Sequence, residues 1–302
     1  MELRDELAGW LKELQGAICK SLEAADGKAT FSTEPWDRSE GGGGITRVIH
    51  NGNVLEKGGV NFSAVHGAVP AFLLNEKEHT VSGAGGKTFF ATGVSIVLHP
   101  HSPMVPIVHM NIRYFEMNDG TRWLGGGIDL TPHYVSMTDA QYFHLALKDV
   151  CDRHHPSYYS KFKKWADDYF FLPHRNETRG IGGIFFDRLT QDSGMSFEKN
   201  IAFWKEVGQT FPSLYGAFMD RNKDIPYGEK EKQWQLLRRG RYAEFNLVYD
   251  KGTRFGLETN GRIESILMSL PPLASWQYNF IPQPGSEEEK TLSLLKKGID
   301  WV

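Results

Sequence analysis

A chain of 302 residues, 40% hydrophobic, 13% aromatic and 24% charged, has the composition of an ordinary soluble globule with enough apolar side chains for a sizeable core. Its formal net charge of -3, with Lys and Arg scattered among Asp and Glu, gives no electrostatic footprint for nucleic acid. Only two cysteines occur, Cys19 and Cys151, far apart and outside any CxxC spacing, which argues against a disulfide framework or a thiolate zinc site and fits a reducing compartment.

The N-terminus is acidic and amphipathic, unlike a signal h-region or an acid-poor transit peptide. No apolar run approaches the roughly 20 residues of a membrane span, so the cytoplasm is the expected location. Leu3, Leu7, Leu11, Leu14, Ile18 and Leu22 recur at helical spacing, which predicts an amphipathic helix over residues 2 to 24 packed on the body. A turn-rich patch, Gly41 to Gly44, leads into a strand from Ile45 to His50, and Asn51-Gly52 before Val54-Leu55 is a hairpin signal. Thr88 to Leu98, Val105 to Met117 and Trp123 to Leu130 are rich in β-formers, the last two joined by Asn118-Asp119-Gly120.

Residues 138 to 153, 157 to 172, 196 to 208 and 229 to 239 read as helices. Tyr242 to Tyr249 and Arg254 to Glu258 read as strands around a turn at Asp250-Lys251-Gly252-Thr253, and Ser286 with Glu289 resembles a capping box before a short C-terminal helix. Strands clustered by hairpins, with helices inserted between the clusters, predict an α+β fold with a mainly antiparallel sheet. No linker, charge block or repeat divides the chain, so residues 1 to 302 read as one domain.

The run Pro106 to Phe115 carries the most chemistry. Period-2 alternation puts His109, Asn111 and Arg113 on one strand face and Val108, Met110, Ile112 and Tyr114 on the other. One face belongs to a core, and the other holds a base, an amide and a fixed cation. On the preceding strand Ser95, Val97 and His99 share a face that joins this row if the strands pair. Glycines 125 to 127 leave no side chains beside Asp129, which suits either close approach by a flat ligand or another backbone, or a twisted bulge with a capping Asp. Of the arginines near these elements, most read as surface charges or partners of Asp and Glu, Arg179, Arg238 and Arg239 among them. Arg113 is the one placed to clamp a carboxylate bidentately.

Other motifs carry less. Gly83 to Thr88 ends like a P-loop, but the leading glycine would fall at Val81 and a strand follows where a helix is needed. Asn61-Phe62-Ser63 and Asn176-Glu177-Thr178 match the glycosylation pattern without any sign of secretion. The 11 histidines contain no HExxH and no paired Cys/His motif, so a structural role is the ordinary reading of His99, His144 and His174, and His154-His155 reads as surface.

The segments GGGGITRVI from Gly41, EKGGVNFS from Glu56, ATGVSIVLHP from Ala91, PIVHMNIRYFE from Pro106, WLGGGIDLTP from Trp123, HRNETRGIGGIFFD from His174, RRGRYAEFNLVYD from Arg238 and RIESILMSLPP from Arg262 stand in an order that resembles the oxygen-dependent coproporphyrinogen III oxidase family. The resemblance runs from about Glu34 to the closing Asp300-Trp301-Val302. It implies an enzyme that oxidatively decarboxylates two propionates of coproporphyrinogen III to vinyls with molecular oxygen, yielding protoporphyrinogen IX for haem. It also implies a homodimer, a large antiparallel sheet with helices on both sides, and no organic cofactor.

Carried across by position, the resemblance gives Ser95 to the substrate, His109 to acid/base work, Asn111-Ile112-Arg113 to a substrate element and Asp129 to the pyrrole N-H groups at the macrocycle centre. It also gives a second substrate loop at Asn260, Gly261 and Arg262, and leaves a divalent metal open, with His99, His109, His144 and His174 as candidate ligands. The chain departs from the family pattern at Asn260 and at Arg188, which follows Asp187 where a second Asp is usual. Two further readings from other classes are a non-catalytic carrier of porphyrins or similar anions, which needs the arginines but neither His109 nor Asp129, and a His-dependent metallohydrolase.

Overall fold

Alternating residues between Gly42 and Thr131 build five long strands, and the structure, a computed structural model, describes residues 2–69, 86–191, 194–258 and 261–302. The strands are β1 (Ser32–Asp37), β2 (Gly42–His50), β3 (Leu55–Ala68), β4 (Thr88–Pro100), β5 (Ile107–Met117), β6 (Arg122–Thr131) and β9 (Gly182–Leu189), with β7 (Phe171–Leu172) and β8 (Glu177–Thr178) forming a separate hairpin. The large sheet is seven-stranded, in the order β1-β2-β3-β4-β5-β6-β9, with every neighbouring pair antiparallel. The α+β fold expected from the sequence is the fold found.

The helices are α1 (Leu3–Asp26), α2 (Met137–His154), α3 (Tyr158–Tyr169), α4 (Phe197–Asn222), α5 (Glu229–Val248), α6 (Lys251–Glu258), α7 (Ile263–Leu267) and α8 (Glu287–Leu294). One sheet face, with Val94, Ile96 and Leu98 of β4 and Val108, Met110, Ile112 and Tyr114 of β5, packs against the leucine stripe of α1 and the aromatic stripe of α4 in one continuous core. Each such buried side chain contributes about 1.5 to 3 kcal/mol relative to exposure. The opposite face is polar and is covered by α5 and by the segment from α7 to Leu270, whose Ser265 and Ser269 reach β2, β3 and β4.

The Asn118-Asp119-Gly120 hairpin forms as expected, with Gly120 at φ 88. At its other end α1 is tied to the β2–β3 turn by Asp26, whose carboxylate accepts hydrogen bonds from the backbone N-H groups of Ala29, Asn53, Val54 and Leu55. Gly42 to Gly44 lie inside β2, where a turn was expected. A Cβ on Gly44 would stand 2.3 Å from the Phe62 carbonyl oxygen and 2.4 Å from the Trp36 ring, so these glycines serve close packing between strands. Gly83, Ala84 and Gly85 of the P-loop-like stretch lie outside the described residues.

Three expectations are corrected. Tyr242 to Tyr249 is not a strand, because α5 runs on to Val248, and Arg254 to Glu258 belongs to α6. The buried stripe of α5 includes Arg238, Arg239 and Asn246 beside Leu237, Tyr242 and Phe245, since it faces the polar side of the sheet. Those polar members hid the helical period and left the β-forming aromatics as the visible signal. The helix expected at residues 196 to 208 continues to Asn222 through Pro212, carried by Phe211, Leu214, Tyr215 and Phe218 in the core.

Candidate active site

Strand register assembles the site. β4 and β5 pair Ser95 with Asn111 and Val97 with His109, while β5 and β6 pair His109 with Asp129, Asn111 with Gly127 and Arg113 with Gly125. The polar row of β5 thus lies between Ser95 on one side and Asp129 on the other. Ser95, His109, Asn111, Arg113 and Asp129 are brought together on one face. Ile112 points the other way, into the core against α4, so only its backbone belongs to the site's strand.

Asp129 is 1% exposed, and both its oxygens are occupied. Oδ1 accepts from His109 Nδ1 at 2.7 Å and from Arg179 Nη2 at 2.8 Å, and Oδ2 accepts from the same Arg179 nitrogen at 2.7 Å. Burial alone would raise its pKa, but the Arg179 charge and the His109 hydrogen bond outweigh it and hold the carboxyl below its ordinary value. An ionised carboxylate only accepts hydrogen bonds, so His109 Nδ1 carries the proton. That leaves His109 Nε2, with no partner among the described residues, as the nitrogen free to exchange a proton.

Arg179, which the sequence reading placed among the arginines that are surface charges or partners of Asp and Glu, is 2% exposed and is the partner of Asp129. Its Cζ lies 4.4 Å from the Phe170 ring centroid, 4.7 Å from Tyr242 and 4.6 Å from Phe245, and its Nη1 donates to Asn246 Oδ1 at 2.8 Å. Three ring faces and an amide therefore replace the water that a guanidinium would otherwise hold. The signal was its setting, Thr178-Arg179-Gly180-Ile181, at the entry to an apolar strand where a solvated charge has no place. Arg238 and Arg239 are buried too, paired with Glu177 and Glu56.

Arg113 donates to Asn111 Oδ1 at 3.1 Å and to Asp187 Oδ1 at 2.8 Å. The bare backbone at glycines 125 to 127 admits the guanidinium and Asp187 above Gly125, and a register irregularity with β9 falls between Leu124 and Gly126. Neighbouring backbone closes on Gly126 and Gly127, as one of the sequence readings has it, and the register irregularity accords with the bulge reading. Arg262 lies apart from the row, ion-paired with Glu34 of β1. Gly261 donates its N-H to the Gly256 carbonyl at 2.8 Å, and Asn260 falls outside the described residues. Arg188, at φ 48, sets its guanidinium over the Trp123 ring.

Residues 6–301 match the family described as coproporphyrinogen III oxidase. The chain belongs to that family. As a member of the coproporphyrinogen III oxidase family it is an oxidoreductase of haem biosynthesis, and its reaction is the oxidative decarboxylation of coproporphyrinogen III.

The four histidines weighed as metal ligands do not converge. His99 donates from Nε2 to the Ser269 carbonyl beside Tyr242, and His109 is on Asp129. On the far side of the sheet His144 lies among Tyr159, the Ile181 carbonyl and the Trp301 ring, whereas His174 is held by Glu244 of α5 and by Tyr249. Among the described residues no group of three or more His, Cys, Asp or Glu side chains is arranged to hold a metal ion. A single site built from these four donors does not fit this coproporphyrinogen III oxidase. No helix among the described residues is long and apolar enough to cross a membrane.

Proposed function

We propose that this coproporphyrinogen III oxidase uses molecular oxygen as its oxidant, without an organic cofactor, at the polar face of β4, β5 and β6. The carrying observation is the Arg179–Asp129–His109 chain, anchored on two buried residues, which leaves His109 Nε2 open on the strand face that also carries Asn111 and Arg113. A porphyrinogen is electron-rich enough to react with oxygen once a pyrrole N-H is deprotonated or strongly hydrogen-bonded. In each step the propionate loses carbon dioxide and one side-chain hydrogen, and two electrons pass to oxygen, which leaves as hydrogen peroxide when protons are counted.

Arg113 and Arg262 fix propionate carboxylates, Ser95 and Asn111 orient the ligand, and Gly261 serves the second substrate loop beside Arg262. His109 exchanges the side-chain proton as carbon dioxide leaves. Asp129 polarises the pyrrole N-H groups. In the arrangement described above Oδ1 is shared by His109 and Arg179 while Oδ2 accepts from Arg179 alone, so the pyrrole N-H groups are met at Oδ2 with the His109 contact kept. No step is assigned to a divalent metal, because the candidate ligands do not meet. We further propose a cytoplasmic homodimer.

Incubating chelator-treated protein with coproporphyrinogen III in air and under nitrogen tests this reading. Protoporphyrinogen formed in air and not under nitrogen is the expected result. Binding without product in air makes the protein a carrier, and rescue by one added metal makes the histidines ligands. Light scattering of the purified protein checks the dimer.

A further inference from the structure

The pair formed by Arg113 and Asp187 sits on the most accessible part of the site, with the two side chains 38% and 33% exposed. Exposed ion pairs contribute little to stability, so its position calls for another account. Asp187 reaches across β6 from β9, and the contact passes over the backbone of Gly125. A Cβ on that glycine would stand 2.6 Å from Asp187 Oδ1, 2.9 Å from Arg113 Nε and 3.0 Å from Nη2. The pair therefore depends on a residue with no side chain at this point.

On its other flank Arg113 Nη1 is held by Asn111 Oδ1. Of the five N-H donors of a guanidinium, two have partners among the described residues and three are left over. A long flexible side chain is thus fixed from two directions while three of its N-H donors keep no partner among the described residues. Bidentate recognition of a carboxylate needs that fork in one orientation.

We propose that Asp187 is a positioning residue that orients Arg113 for a substrate carboxylate, with Gly125 as the gap through which it acts. The proposal rests on the proposed function only in taking Arg113 as a propionate clamp. Asp187 does not touch the ligand. Its effect is pre-organisation, felt in affinity for the carboxylate more than in the chemical step.

The test is titration of coproporphyrin III, the unreactive oxidised tetracarboxylate, by protein fluorescence, with steady-state turnover of coproporphyrinogen III alongside. Asp187→Ala is expected to raise both Kd and KM about tenfold while kcat falls by less. Asp187→Asn, which keeps an acceptor oxygen in place, is expected to recover the affinity to within about threefold of the parent. Unchanged or tighter binding in Asp187→Ala would overturn the proposal, the second outcome showing that Asp187 competes with the ligand. Arg113→Ala separates the two claims: if it leaves affinity unchanged, the clamp itself fails, and if it weakens binding while Asp187→Ala does not, only the positioning role fails.

Discussion

Arg179 donates through one nitrogen to both carboxylate oxygens of Asp129, at 2.8 and 2.7 Å, and neither side chain is more than 2% exposed. A buried pair of this kind is costly to break from one side, because the remaining carboxylate has no solvent and keeps only the His109 hydrogen bond. Arg179→Met is predicted to destabilise the fold by about 3 to 5 kcal/mol, read from urea unfolding. Adding Asp129→Asn to Arg179→Met is predicted to recover part of the loss, since it removes the stranded charge. A full-stability Arg179→Met variant would mean that the pair does not hold Asp129.

Arg113 is half-accessible and faces the open side of the row, so its removal is expected to cost binding, not folding. Each charge-assisted hydrogen bond sheltered from water is worth about 1.5 to 3 kcal/mol. Arg113→Ala is therefore predicted to weaken coproporphyrin III binding by roughly 10- to 100-fold, with an unfolding midpoint close to the parent's. Equal affinity for the tetracarboxylate in parent and variant would remove the clamp from the account.

Stability is predicted to fall as the solution is acidified from neutral pH. Burial pushes His99 from 6.5 down to about 3 and His144 down to about 4, and His133 well below its ordinary value, aided by the Arg239 charge. A group whose folded pKa is depressed contributes stability that is complete above the unfolded value and is lost as pH falls towards the folded one. Between pH 6.5 and 4 the unfolded chain takes up protons that the folded chain refuses. Each such histidine contributes a slope of roughly 1.4 kcal/mol per pH unit in that window. Urea midpoints at about pH 7.5 and pH 5 should differ, and His144→Gln should flatten part of the difference. A parent midpoint independent of pH over this range would show that these histidines are not held neutral.

The strands and the polar row could be read from the chain because alternation is a local signal. His109, Asn111 and Arg113 share a face by spacing alone, and the short turn at Asn118-Asp119-Gly120 fixes which strand follows. The partner of Asp129 was not legible. Arg179 is 50 residues further on, and only the return of β9 beside β6 brings the segment entering it against that carboxylate. The end of α5 was misread for a related reason. Arg238, Arg239 and Asn246 are buried through pairing with Glu177, Glu56 and Arg179, and a pattern that counts only apolar residues does not see polar ones inside.

The same limit applies to Asp187, whose partner Arg113 is 74 positions away in the chain and whose contact depends on an absent side chain at Gly125. Residue type suggested that glycines 125 to 127 make room for something. Only the sheet order shows that what enters at Gly125 is an ion pair from the two flanking strands.

The central claim is that His109, oriented by Asp129 through Nδ1, moves the proton at Nε2 during decarboxylation. Aerobic turnover of coproporphyrinogen III by His109→Asn, with coproporphyrin III binding measured on the same preparation, tests it most directly. The account predicts binding within about threefold of the parent and turnover lower by roughly 10²- to 10⁴-fold. Turnover near the parent's, at unchanged binding, would contradict it.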